Sequence, residues 1–164
     1  MNLAVCACYF LDIGPAGWSA DWAWGLPLIV LTVVIHVAGL SLISQKVVRG
    51  NVGRRIERRR PRLAFVLVVG ATTLLATCLH ALEAGMWAAA YRILGALPDS
   101  RDAMLYSLNA ITSYGHTNLT LKDNWHLMGA LEALNGWLLF GLTTAFLFGV
   151  IQGVWAAEGR GESS

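Results

Sequence analysis

Charge is scarce in this sequence. Of 164 residues only 13% are Asp, Glu, Lys or Arg, while 56% are hydrophobic. A soluble domain carries about twice that share of charge, and a chain of this size could not hide so much apolar surface in water. Cysteine is nearly absent as well. Only Cys6, Cys8 and Cys78 occur, and the Cys6-Ala-Cys8 spacing matches neither a metal nor a redox motif. They read as small apolar residues. The first residues lack a basic stretch, so no cleaved signal peptide is expected. No apolar segment carries the regularly spaced arginines of a voltage sensor. No nucleophile–base pair is recognisable, and the chain is not expected to be an enzyme or to hold a cofactor. No ligand-binding or regulatory domain is expected.

What the sequence does have is three apolar stretches, each long enough to cross a bilayer. The first runs from about Pro27 to Gln45, the second from about Leu63 to Tyr91, and the third from about Leu127 to Trp155. Pro27 suits a helix start. Ahead of it, residues 1–26 are apolar but broken by Gly14, Pro15 and Gly17, with Trp18, Trp22 and Trp24 close behind. Indole rings favour the membrane–water boundary, so an external interfacial or partly re-entrant segment is expected there. Lys46, Arg49, Arg54, Arg55, Arg58, Arg59, Arg60 and Arg62 crowd one connector, 46–62, out of 12 basic residues in all. Such a run can bind nucleic acid. Between two spans it instead fixes topology, because cytoplasmic loops collect Lys and Arg, and no nucleic-acid partner is expected. Gly50 and Gly53 can break the first helix, and Pro61 can open the second. The expectation is an all-α protein of the cell (inner) membrane, with its N-terminus outside and its C-terminus cytoplasmic. It divides into an external segment 1–26, a first span with basic connector 27–62, a module 63–155 and a short tail 156–164.

The connector between the second and third spans is unusual. Residues 101–111, Arg-Asp-Ala-Met-Leu-Tyr-Ser-Leu-Asn-Ala-Ile, read as a short helix that Asp99, Ser100 or Asp102 can cap. Met104, Leu105, Leu108 and Ile111 give it an apolar face. A polar stretch, Thr112 to Asn124, returns the chain to Trp125. Irregular backbone at membrane depth is tolerated only where protein buries it or where it lines a wet cavity. A re-entrant helix and loop between spans two and three is therefore expected, and with it a pore or binding cavity.

This order of span, short helix, loop and span resembles the pore module of tetrameric potassium channels over roughly Leu63 to Val154. The family's filter carries the sequence TVGYG, preceded by Thr and followed by Asp or Asn. Aligned without gaps, the filter here reads Thr112, Ser113, Tyr114, Gly115, His116, Thr117, Asn118. Two anchors hold this register: Ser107 matches a Ser common in the family's pore helix, and Trp125 matches the Trp that opens its inner helix. A rival register sets Tyr114-Gly115 on the family's second Tyr-Gly pair, at the cost of a shortened loop and both anchors.

In the ungapped register the resemblance implies that Ser113 supplies a hydroxyl at the innermost ion site and that Gly115 keeps the first glycine. His116 stands for the filter aromatic, with Tyr106 as its expected hydrogen-bond partner on the pore helix. Asn109 and Asn118 replace an acidic pair. Thr117 replaces the second glycine, a change that costs roughly 1–2 kcal/mol if φ must be positive there. Gly141, Ala145, Gly149 and Gly153 recur every four residues on one face of the third span. They either pack against another helix or, by resemblance, face the pore axis. Thr143 and Thr144 flank that face and are expected to wet the cavity. Glu83 and Glu132 are ionisable groups inside spans, a costly placement that points to function, with Asn109 or Arg92 as candidate partners.

The implied function is a passive cation channel with weakened K⁺ selectivity, in which K⁺ is the expected permeant ion and the partners are the bilayer and three further copies of the chain. One alternative is a pore-like membrane protein that does not conduct. Another is a cofactor-binding bundle using His36, His80, His116 or His126. That bundle is disfavoured by the different depths estimated for His36 and His80, although His80 and Glu83 lie one helix turn apart.

Overall fold

The computed structural model describes residues 15–48, 61–115, 119–122 and 125–161. Every regular element among them is helical. Helix α1 is Pro15–Ile43, continued by a π-helical turn over Ser44–Val48; α2 is Pro61–Ile93, α3 is Ser100–Ile111, and α4 is His126–Gly161. Three segments, Ser19–Val47, Leu63–Ile93 and His126–Gly153, are long and apolar enough to cross a membrane, as their near absence of charge requires. The chain is an integral membrane protein by this measure.

One boundary differs from expectation. Pro27 does not open α1; it lies inside a continuous helix that begins at Pro15. A proline within a helix forfeits one backbone hydrogen bond and crowds the preceding turn, yet membrane helices accommodate it more readily than soluble ones. Residues 15–26 are thus helical rather than a separate interfacial piece, while 1–14, the Cys6-Ala-Cys8 pair included, lie outside the described residues. Most of the basic connector lies outside them too. Pro61 does open α2, at the position where its missing N–H costs nothing.

Two compact units can be distinguished. The first combines the chain up to Thr32 with Ala84–Gly136; the second combines Val33–Glu83 with the chain from Trp137 onward. In the first unit Trp87, Tyr91, Tyr106, Met128 and Leu131 form the centre of a core. Tyr91 and Tyr106 meet edge to face, with ring centroids 5.3 Å apart, an arrangement that aromatic quadrupoles favour. Apolar burial drives little association inside a bilayer, so close backbone approach matters more. Glycines provide it: a Cβ at Gly25 would overlap Leu131, one at Gly129 the Tyr106 hydroxyl, and one at Gly136 the carbonyl of Ile111. Asp21, buried on α1, is held by the backbone N–H groups of Met128 and Leu127, where the positive end of α4 attracts an anion. In the second unit Leu40, Ile43 and Ala76 pack with Leu79 and Phe146, and Gly39 lies close against Leu79.

Candidate functional site

Helix α3 and the loop after it belong to the first unit, and the contacts that hold them are specific. Asp99 is the N-cap: its carboxylate accepts from the N–H groups of Arg101 (2.8 Å) and Asp102 (3.1 Å). Those two N–H groups, Asp102's first, hold the Asp99 carboxyl below its ordinary value of 3.8. Arg92, in the last turn of α2, donates to the Ser100 hydroxyl.

Halfway along α3, Ser107 is fully buried and bonds to both neighbouring long helices. Its hydroxyl lies 2.6 Å from the carbonyl of Ala84 on α2 and also meets the Glu132 carboxyl on α4. Glu132 is fully buried and accepts from the Tyr91 hydroxyl at 2.6 Å. The expected partners of Glu132 were Asn109 or Arg92; Ser107 and Tyr91 take those places instead. Ser107 is therefore a fixed strut, because each buried polar group here has a partner it would be costly to lose. Asn135 donates to Thr32 at 2.9 Å, and Thr32 in turn bonds back to Leu28 at 2.8 Å.

Helix α3 ends in a Schellman motif. Ser113 N–H donates to Ala110 and Tyr114 N–H to Asn109, both at 2.9 Å, which satisfies two of the carbonyls a helix end leaves open. The motif requires a left-handed residue, and Ser113 takes it with φ +55°. Helix α2 ends in the same way, with Ala96 N–H donating to Tyr91 (2.9 Å) and Gly95 N–H to Arg92 (3.1 Å), but there Gly95 holds the positive φ. Gly115 is left-handed as well, at φ +92°. Among the described residues Ser113 is the non-glycine with a positive φ; Thr117, where strain was expected, lies outside them.

Of the expected filter, Thr112, Ser113, Tyr114 and Gly115 are exposed, Tyr114 at 85%. His116, Thr117 and Asn118 lie outside the described residues, and so does the expected His116–Tyr106 bond. Asn109 serves through its backbone carbonyl, and Trp125 stands immediately before α4, its N–H bonded to Lys122 at 2.8 Å. Gly141, Ala145, Gly149 and Gly153 are all exposed, and a Cβ at any of the three glycines would meet nothing within 4 Å.

The second unit holds a cluster of which the His80–Glu83 pair was foreseen, one helix turn apart, but not its meeting with His36 and Thr143. His36 Nδ1 lies 2.8 Å from Glu83 Oε1, and His36 Nε2 lies 3.0 Å from the Thr143 hydroxyl. His80 Nε2 is 3.0 Å from the same hydroxyl, and its Nδ1 is 3.4 Å from Glu83 Oε2. The four side chains close a ring. Two expectations are corrected here. His36 and His80 do not lie at different depths, since their ring centroids are 5.0 Å apart. Thr143 is buried and does not wet a cavity; Thr144 bonds back to Phe140 at 2.9 Å. The donor atoms of His36, His80 and Glu83 fall within 4.8 Å of one another, close enough to share a metal ion.

Asp21, Tyr91, Thr32 and Asn135 were missed by the sequence reading. The signal available for them was polarity within an apolar span, which calls for a partner. No protein-family model matches the chain, and neither curated proteins nor solved structures give a match.

Proposed function

We propose that the chain is one subunit of an oligomeric cation channel of the potassium-channel pore type, four copies enclosing the pore, with K⁺ as the permeant ion. The observation that carries this reading is the path of α3. It starts beside Arg92 at the end of α2, bonds through Ser107 to Ala84, and ends with Ile111 against Gly136. Ala84 lies nine residues back from the end of α2 at Ile93, and Gly136 ten residues beyond the start of α4 at His126. At about 1.5 Å per residue, each is about 14–15 Å inside its helix. That descent supports a re-entrant helix inserted between two spans.

Two further features support a pore. The negative end of the α3 dipole faces the loop Thr112–Gly115, an arrangement that favours a cation there. The loop is uncovered in the single chain, as is the Gly141–Gly153 face, and irregular backbone at membrane depth needs protein or water to cover it. Further copies around a symmetry axis would supply both. The basic connector favours an inward-facing loop in the cell membrane, with the N-terminus outside.

Purified chain in proteoliposomes should pass K⁺ down a gradient, and native mass spectrometry in mild detergent should give a tetramer. A stable monomer without flux in lipid would overturn the proposal. A tetramer without flux would leave the architecture and remove the conduction.

A further inference from the structure

The geometry points to a second site, a binding site for a divalent transition-metal ion of the zinc class, formed by His36, His80 and Glu83 with Thr143 behind them. None of its three ligands is a filter or pore-face residue, and all belong to the second unit.

The residue types suit such an ion. Two imidazoles and one carboxylate are a common zinc set, leaving one coordination position open. The spacing suits it too. Tetrahedral ligands at about 2.0–2.1 Å from the ion stand about 3.3 Å from one another. In the ring His36 Nδ1 is 2.8 Å and His80 Nδ1 3.4 Å from the two Glu83 oxygens. An ion between the two Nδ1 atoms and the carboxylate needs only small movements of side chains already facing each other. His36 and Glu83 are fully buried, while the His80 side chain is 28% exposed along the span Leu63–Ile93.

Hydrogen counting shows what the ring lacks. Neutral imidazoles carry one N–H each, two in all. The ring asks for three: Glu83 accepts two, and Thr143, which can give one hydrogen, needs one from the other imidazole. With both imidazoles neutral one contact goes unmade. The long 3.4 Å separation is that contact, and Glu83 Oε2 is buried without a hydrogen bond. Either a proton or a metal ion completes the cluster, and the metal-loading test below separates the two. With an ion on both Nδ1 atoms, each imidazole keeps its hydrogen on Nε2, and both donate to the two lone pairs of the Thr143 oxygen. The Glu83 oxygens gain the ion. Both ring N–H groups and both carboxylate oxygens are then served, and Thr143 fixes both rings, as outer partners of metal-bound histidines do.

The test uses the full-length chain in detergent, stripped with chelator and then loaded with zinc or cobalt(II). The expected result is one ion retained per chain, a visible absorption band from tetrahedral cobalt, and a zinc-dependent rise in melting temperature. His80→Ala and Glu83→Gln should each abolish the band, and Thr143→Val should weaken zinc affinity about 10–100-fold. His126→Ala should leave the stoichiometry unchanged. His36→Ala removes a fully buried group and risks misfolding; the partly exposed His80 and the isosteric Glu83→Gln avoid that risk, and the cobalt spectrum of the wild type needs no variant. Absence of the cobalt band in the wild type, or zinc uptake that His80→Ala and Glu83→Gln leave intact, would overturn the site and reduce the ring to a hydrogen-bonded strut.

Discussion

Ser113 sits where helix ends usually place glycine. The Schellman motif at the end of α3 needs a left-handed residue, and Ser113 supplies it at φ +55°. A side chain there costs about 1–2 kcal/mol relative to a right-handed setting. Gly95 does the same work at the end of α2 without that cost. A serine retained in such a position makes sense if its hydroxyl has a task, and the pore reading gives it one at the innermost ion site. Ser113→Gly should therefore separate stability from function. The variant should gain about 0.5–1 kcal/mol of stability, after the extra flexibility of glycine is subtracted, while its K⁺ flux or selectivity falls. Thermal unfolding and proteoliposome flux on the same preparation measure both. A variant that is more stable and conducts like the wild type would show that the hydroxyl does not meet the ion.

Among the elements, α3 depends most on its neighbours. At 12 residues it is too short to be stable alone, so its position is set by Asp99 at one end, Ser107 in the middle and Gly136 at the other. Gly136→Ala should be disruptive, because the new Cβ would overlap the Ile111 carbonyl, which belongs to backbone and has little freedom to yield. A loss of about 1–3 kcal/mol is expected from such overpacking. Gly70→Ala, where a Cβ meets nothing, should be harmless. Equal melting temperatures for the two variants would refute the contact. The sequence made the helices themselves legible, since apolar length and the prolines and glycines mark them. Pro61 and Asp99 fell where capping chemistry puts them. Pro27 misled because proline at a helix start and proline within a membrane helix look alike in sequence. The expected spans themselves put His36 nine residues after Pro27 and His80 eleven before Tyr91, a difference of about 3 Å at 1.5 Å per residue, so the matched depth of the two histidines was legible and was overlooked. Glu132 was legible as a buried charge, but its partners Ser107 and Tyr91 depend on which helix faces meet, and one sequence does not record that.

For the whole molecule, the question is how well an assembled pore would tell K⁺ from Na⁺. Selectivity depends on the number and placement of carbonyl oxygens around the ion, whichever account of it is preferred. The described part of the loop keeps a glycine in left-handed conformation at Gly115, φ +92°, where the resemblance aligns the family's first filter glycine. Two residues on, the second filter glycine is replaced by Thr117. A β-branched side chain resists positive φ, so the outer half of the filter should offer fewer well-placed carbonyls than the inner half. An ion held by fewer oxygens stays partly hydrated, and hydrated K⁺ and Na⁺ differ less than bare ones. The wild-type pore is therefore expected to discriminate less sharply than the family it resembles. Thr117→Gly should restore the backbone freedom and raise the K⁺ preference, with every subunit of the assembly contributing the same change. The measurement is the shift in reversal potential when Na⁺ replaces K⁺ on one side, for wild type and variant in the same bilayer. A larger shift for Thr117→Gly is the expected outcome. A wild type already strongly K⁺-selective, with Thr117→Gly no better, would mean that the outer filter reaches its oxygens by a backbone path that threonine can follow.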